Sequence, residues 1–233
     1  MFDSRTQQRA AALVALAYVG IQSFQWFVFS RLPETSDAAA ALLQGPHPLN
    51  IARALTMLFS FVGLAYLFLV TCGIVARRSP ATAVAAGLGF LVFCVMELQL
   101  RSVELFHVFL ALPQQYLAAA TAAQQSQVLH DAAQFQAIQH ALYFPLGLSW
   151  LLASALVCFA LRGSRFDGLA RWAFGLNALR LLLRMLDVYV FGPHFDALYS
   201  TLYLPLVWLS FVPLAIWLWR REPAAQAGPQ RAP

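Results

Sequence analysis

Long apolar runs alternate with short polar segments along the chain, and each run reaches the ~20 residues that a helix needs to cross a bilayer. Six runs predict membrane-spanning helices, over about 10–32, 50–75, 81–112, 135–161, 169–191 and 197–219. Proline, glycine and arginine separate the runs, as is typical of helix ends and turns. The pattern therefore predicts an all-α polytopic membrane protein, a six-transmembrane-helix bundle that forms a single domain over residues 1–221.

Three segments lie outside these runs. The connection 33–48 carries an apolar patch before the breaker cluster Gly45-Pro46-His47-Pro48, and it predicts a short interfacial helix. The connection 114–134 is rich in Ala and Gln, and a short amphipathic helix is predicted around Val128, His130 and Asp131. The tail 222–233 is rich in Ala, Pro, Gln and Gly, a composition that predicts a disordered C-terminal tail.

The arginines orient the bundle. The chain is 61% hydrophobic and 11% charged, which excludes one soluble domain, and its 15 basic residues are all arginines placed mostly at the ends of apolar runs rather than in a patch. This placement indicates membrane topology and predicts no nucleic-acid partner. One side of the predicted bundle carries Arg5, Arg9, Arg77, Arg78, Arg162, Arg165, Arg171, Arg220, Arg221 and Arg231, and the other carries Arg31 and Arg53. The positive-inside rule then predicts that both termini are cytoplasmic.

Ionisable side chains interrupt the third predicted span. Glu97, Arg101, Glu104 and His107 recur at helical spacing, so they share one face of a helix. A charge in a span costs a few kcal/mol on insertion scales and by default indicates a functional site with a partner nearby. This stripe is therefore expected to face protein or a water-filled cavity.

The fifth predicted span is charged as well, and its polar face lies at nearly the same depth. At about 1.5 Å of rise per residue, Glu97 lies roughly 24 Å and Arg184 roughly 22 Å from the cytoplasmic side. Polar residues of spans one and four reach the same level. The predicted cavity residues, all in the outer half of the bundle, are Gln22, Gln25, Glu97, Arg101, Glu104, His107, His140, Tyr143, Asn177, Arg180, Arg184 and Asp187.

The charges of these two spans are complementary. Span three has two carboxylates and one guanidinium, whereas span five has two guanidiniums and one carboxylate. The preferred pairing joins Glu97 to Arg184 and Arg101 to Asp187. Two interpretations follow: the network fixes helix register only, or it lines a cavity for a small polar or amphipathic molecule, with lipid among the partners.

The chemistry of that cavity stays open at this point. Catalytic motifs such as HExxH or GxSxG are missing from the sequence, and Cys72, Cys94 and Cys158 are isolated, so no metal site and no cofactor are predicted. A haem between His107 and His140 is a less favoured option. The alternative to a binding or transport protein is a membrane enzyme acting on a lipid or isoprenoid, with Glu97 or Glu104 as general acid and His140 as base. The oligomeric state has no signature in the sequence.

Three stretches resemble a known family. They are Leu100-Arg101-Ser102-Val103-Glu104, the run from Gln139 to Leu148, and the turn from Leu161 to Trp172. Together they resemble DUF 4386, a bacterial multi-pass membrane family of unknown function, over roughly residues 50–219. The resemblance implies six spans and a bacterial inner membrane, and it implies nothing about chemistry.

Overall fold

In a computed structural model, residues 4–32, 35–162 and 166–221 are described, and they form seven helices with no strand among them. The helices are α1 (Arg5–Arg31), α2 (Ala38–Leu43), α3 (Pro48–Ala76), α4 (Pro80–Ala118), α5 (Ala122–Ala160), α6 (Asp167–Leu186, continued by a π-helix over Asp187–Phe191) and α7 (Asp196–Arg220). Five of these, α1, α3, α4, α5 and α7, are long and apolar enough to cross a membrane. The prediction of an all-helical chain is confirmed, and the apolar helices are compatible with a multi-pass membrane protein.

The six long helices form a closed ring in chain order. Each packs against the helix before it and the helix after it, and α7 returns to α1. The guanidinium of Arg9, near the start of α1, lies 5.3 Å from the ring centre of Trp219, near the end of α7. Both ends of the described chain therefore lie at one end of the bundle, called here the terminal end. The opposite end, which carries α2, is called the distal end.

Aromatic side chains fill the ring toward the terminal end. Phe68 of α3 stacks on Phe90 of α4 with ring centres 4.0 Å apart, and Phe93 stacks on Trp150 of α5 at 4.2 Å. These rings are almost fully buried. Packed aromatic rings exclude water and fix how the helices face each other. This half of the bundle is therefore closely packed, and the large cavity lies toward the distal end.

Gly89 sets the contact between α4 and α5. A Cβ atom at this position would lie 2.9 Å from the carbonyl oxygen of Ser149 and 3.0 Å from the Cβ atom of Ala153. No larger residue fits without moving the two helices apart. Such close backbone approach through a small residue is typical of helix packing in membranes.

Helices α4 and α5 are longer than their predicted spans. The sequence predicts an end at Pro113 and a connection over 114–134, but α4 continues to Ala118 and α5 begins at Ala122. Within α4, a π-helix over Glu104–Ala111 precedes Pro113. Thr121 caps α5 by accepting a hydrogen bond from the Gln124 amide at 3.3 Å. Alanine and glutamine are polar or weakly apolar yet strong helix formers, so hydropathy misjudged this segment.

The short helix predicted in the connection 33–48 is present as α2. Its Leu42 packs with Leu112 of α4 and Val128 of α5 in a small separate core at the distal end. A Cβ atom on Gly45 would lie 2.9 Å from the Cα atom of Phe109, so this turn lies directly on the π-helix of α4. Helix α2 is thereby held over the distal mouth of the ring. The predicted tail 222–233 and residues 163–165 of the predicted basic turn fall outside the described residues.

A polar cavity as the candidate functional site

The distal half of the ring encloses an open cavity of about 1140 Å³. Helix α1 contributes Gln22, Gln25, Trp26 and Phe29 to its wall. Helices α3, α4, α5 and α7 add charged, amide and hydroxyl side chains, among them Arg53, Arg101, Glu104, Tyr143 and Tyr203. The volume is slightly above the range of about 300–1,000 Å³ for small-molecule sites, and the mixed polar and aromatic wall is typical of them.

Arg101 is the centre of the charged cluster, which we call the Arg101 cluster (Arg53, Glu97, Arg101 and Glu104). Its Nη1 donates to Glu104 Oε2 at 2.7 Å, and its Nε donates to Glu97 Oε2 at 3.3 Å. Its Nη2 donates to the hydroxyl of Tyr143 at 3.3 Å. Three members of the predicted stripe, Glu97, Arg101 and Glu104, therefore meet on one helical face, and their charges compensate one another along the same helix.

Arg53 of α3 completes the cluster and is only 4% exposed. Its Nε donates to Asn50 Oδ1 at 3.0 Å, whereas its Nη2 lies 3.8 Å from Glu104 Oε1, which is too far for a hydrogen bond. The guanidinium lies 4.8 Å from the ring centre of Phe29 and 5.6 Å from that of Phe109. Aromatic faces and one amide thus hold a buried cation that has a weak carboxylate partner.

A second polar layer lies below the cavity. The hydroxyl of Tyr203 donates to Gln22 Oε1 at 2.9 Å. Behind Tyr203, Arg180 Nη2 donates to Asn177 Oδ1 at 3.0 Å, and Asn177 Nδ2 donates to the hydroxyl of Ser154 at 2.9 Å. The Arg180 guanidinium lies 5.3 Å from the ring centre of Trp150 and 5.6 Å from that of Tyr203. Asn177 and Arg180 therefore support the floor rather than the wall.

The preferred pairing between spans three and five is wrong. Glu97 binds Arg101 of its own helix, and Arg184 binds Asp187 at 3.3 Å and also Asp196. Asp187 further accepts hydrogen bonds from the backbone amides of His194 and Phe195 at 3.0 and 3.3 Å. Arg184 and Asp187 thus close the turn before α7. The prediction failed because two level side chains can point away from each other.

The two histidines of the predicted spans lie outside the cavity. His107 and His140 are both exposed and absent from its wall. The ring of His140 lies 5.4 Å from that of Tyr189, and its carbonyl oxygen accepts a hydrogen bond from the Tyr189 hydroxyl at 2.7 Å. The predicted set therefore divides: Gln22, Gln25, Arg101, Glu104 and Tyr143 line the cavity, and Glu97 lies behind Arg101.

Sequence reasoning missed Arg53 as a site residue, because a charge near a helix start was assigned to the connection. Asn50 and Arg53 stand three residues apart at the start of an apolar helix, so they share a face. That spacing was the available signal. Phe109, Tyr199 and Tyr203 carried no polar pattern of their own, and only the packing of helices places them at the cavity.

Comparison with known proteins returned no match to this chain among family models, curated proteins or solved structures. The resemblance to DUF 4386 therefore stays a prediction.

Proposed function

We propose that this chain is an integral membrane protein that binds or translocates a small polar or amphipathic molecule through the distal cavity. The observation that carries the proposal is the cavity itself, about 1140 Å³, lined by residues that include the buried Arg53 and the pair Arg101–Glu104. Keeping charges in an apolar bundle is costly, and fixing helix register does not require an open space around them. A cavity with charges in its wall is what ligand recognition requires.

The alternative, a membrane enzyme acting on a lipid or isoprenoid, has less support. It assigns the general acid to Glu97 or Glu104 and the base to His140. Glu97 lies behind Arg101 and outside the cavity wall, and Glu104 is held by the guanidinium of the same arginine. His140 lies outside the cavity that Glu104 lines. The candidate groups therefore do not share one space, and binding is the better supported function.

The test is to remove the cavity without removing the fold. Gln25→Trp places an indole in the cavity wall, and Leu16→Trp, on the exposed face of the same helix, is the matched control. Each protein is purified from membranes in a neutral detergent, and molecules extracted from it are measured by mass spectrometry. We expect a molecule that co-purifies with the wild type and with Leu16→Trp, and is depleted in Gln25→Trp. Identical extracts from all three would contradict the proposal.

We further propose that α6 also crosses the membrane, which gives six spans in all. The membrane is then a bacterial inner membrane, with both termini of the chain in the cytoplasm. Two observations support an even number of spans: α6 packs between α5 and α7 as a full member of the ring, and Arg9 lies against Trp219. Arg53 is buried within α3, so it no longer counts among the arginines of the distal connections. The difference in arginine content between the two ends is therefore larger than the sequence indicates. The positive-inside rule then places the terminal end in the cytoplasm.

Cysteine labelling tests this topology. All three native cysteines are replaced, and one cysteine is introduced at Gln125, in the first turn of α5, or at Arg162, just after α5. An impermeant thiol reagent added to whole cells should label Gln125→Cys and leave Arg162→Cys unmodified until the cells are opened. The reverse result would invert the orientation, and labelling of both from outside would contradict the span count.

A further inference from the structure

The charges that face the cavity do not cancel. Its wall includes two guanidiniums, Arg53 and Arg101, but among the described residues only one carboxylate, Glu104. Glu104 forms its short contact, 2.7 Å, with Arg101 and leaves Arg53 at 3.8 Å. Glu97 compensates Arg101 from behind, outside the wall. A buried guanidinium with incomplete compensation attracts an anion, since little solvent screens it.

Arg53 has donors to offer such an anion. Among the described residues, Arg53 makes one side-chain hydrogen bond, from its Nε–H to Asn50. The N–H groups of its two terminal nitrogens therefore have no hydrogen-bond partner in the described chain. Because Arg53 lines the cavity, a molecule there can reach them. The rings of Phe29 and Phe109 hold the guanidinium in place, and a held guanidinium is suited to two parallel hydrogen bonds with a carboxylate or phosphate.

The wall next to Arg53 is apolar and reaches the outside of the bundle. Trp26 and Phe29 line the cavity, yet each is 53% exposed. They therefore stand at the edge where the cavity meets the outer surface of α1. A ligand whose acidic group reached Arg53 would leave its remainder beside these rings, where a hydrocarbon chain loses contact with water.

We propose that the ligand of this cavity is an amphipathic anion whose carboxylate or phosphate group binds Arg53 and whose apolar part lies along Trp26 and Phe29. This inference rests on the proposed function, since it names the ligand class of the same cavity. Glu104 holds Arg101 in place through the contact at 2.7 Å. The source of the acidic group is either a membrane lipid or a soluble anion.

A charge series on the wild-type protein tests the class without any substitution. Decanoate, decanol and decyltrimethylammonium share one chain and differ in head-group charge. Native mass spectrometry in a neutral maltoside detergent gives the apparent Kd and stoichiometry of each, and acetate and inorganic phosphate are measured in parallel. We expect one saturable site for decanoate, with binding at least about tenfold tighter than for decanol, as one charge-assisted hydrogen bond would provide. Weak binding of acetate and phosphate is expected because they lack the apolar chain, and binding of either as tight as that of decanoate would overturn the amphipathic part of the assignment in favour of a small soluble anion.

Substitution then locates the acidic group. Arg53→Gln should weaken decanoate about tenfold to a hundredfold and leave decanol unchanged. The control is Arg31→Gln, which removes an equal charge from an exposed site at the distal end of the bundle, outside the described cavity wall. It should leave the binding of decanoate and of decanol unchanged. The anion assignment is overturned if decanol or decyltrimethylammonium binds saturably and as tightly as decanoate. It is also overturned if Arg53→Gln leaves decanoate binding unchanged. In either case the cavity remains a binding site. Failure of every compound to bind overturns the proposed function as well.

Discussion

Both ends of this bundle contain arginines paired with carboxylates, but at the terminal end the pairs join helices and at the distal end they border a cavity. At the terminal end, Asp167 is 2% exposed and accepts hydrogen bonds from Arg221 at 2.7 Å, Trp217 at 3.2 Å and Arg78 at 3.4 Å. We call this group the Asp167 cluster. It joins the start of α6, the end of α7 and the turn after α3 in solid protein. At the distal end, the Arg101 cluster is paired largely along α4 and borders a cavity.

The difference separates charges that hold distant segments together from charges that border open space. The Asp167 carboxylate is surrounded by donors from distant segments, so its role is to hold those segments together. Within the described part of the chain, Arg53 makes one hydrogen bond, lies 3.8 Å from the carboxylate of Glu104 and keeps further N–H groups on the cavity. A charged group whose hydrogen bonds are all made within the protein contributes stability by connecting helices. A charged group that borders a cavity and is only partly compensated is available to a ligand.

The largest effect is expected from Asp167→Asn. Removing this carboxylate leaves Arg221 as a largely buried cation without its close partner, and such losses cost about 3–5 kcal/mol. Asp131→Asn is the control, since Asp131 forms one exposed hydrogen bond with Gln127. Thermal unfolding in detergent measures both proteins. An Asp167→Asn protein as stable as the control would mean that the Asp167 cluster does not hold the terminal end together.

A double-mutant cycle should next show where the Arg101 cluster is coupled. Glu97→Gln and Arg101→Gln are expected to be non-additive by about 0.5–3 kcal/mol, because the two side chains share a hydrogen bond. Glu97→Gln with Arg184→Gln should be additive within about 0.5 kcal/mol, since Arg184 binds Asp187 and Asp196 instead. Coupling of Glu97 to Arg184 rather than to Arg101 would restore the interhelical pairing that the sequence suggested.

The smallest stability effect is expected from Arg53→Met. Replacing a buried, weakly compensated charge with an apolar side chain of similar length is often neutral, and Glu104 keeps Arg101 as its partner. We therefore expect a change of less than about 1 kcal/mol in the free energy of unfolding, measured by the same thermal series. A loss as large as that of Asp167→Asn would assign Arg53 to structure and would remove the contrast between the two ends.

Much of the fold was predictable because the apolar pattern has a direct physical cause. Backbone polar groups in hydrocarbon must be satisfied within the segment, so a long apolar run forms a helix. The runs that became α1, α3, α6 and α7 were placed within a few residues. The starts and ends that failed, the end of α4 and the start of α5, lie in an Ala- and Gln-rich segment where helix propensity and hydropathy disagree.

The sequence predicted many of the residues of the candidate site, but not which of their side chains pair with one another. Helical spacing was enough to place Glu97, Arg101 and Glu104 on one face, and the structure joins them through Arg101. Depth along a helix was also sufficient to bring Gln22 and Gln25 to the cavity, but His140, placed at the same depth, lies outside it. Which groups pair depends on how each helix is rotated about its own axis, and the sequence of a single helix does not contain that rotation.

By itself, then, the sequence determined the helical architecture, the apolar character of the helices and the polar stripe on α4, because these depend on residues close together in the chain. Only the tertiary structure decided that His140 faces outward beside Tyr189, that Arg184 turns to Asp196, and that Arg53 enters the cavity between Phe29 and Phe109. Each outcome depends on neighbours from other helices. The aromatic packing that fixes the rotation of those helices, including Phe68 on Phe90 and Phe93 on Trp150, exists only after the ring has closed.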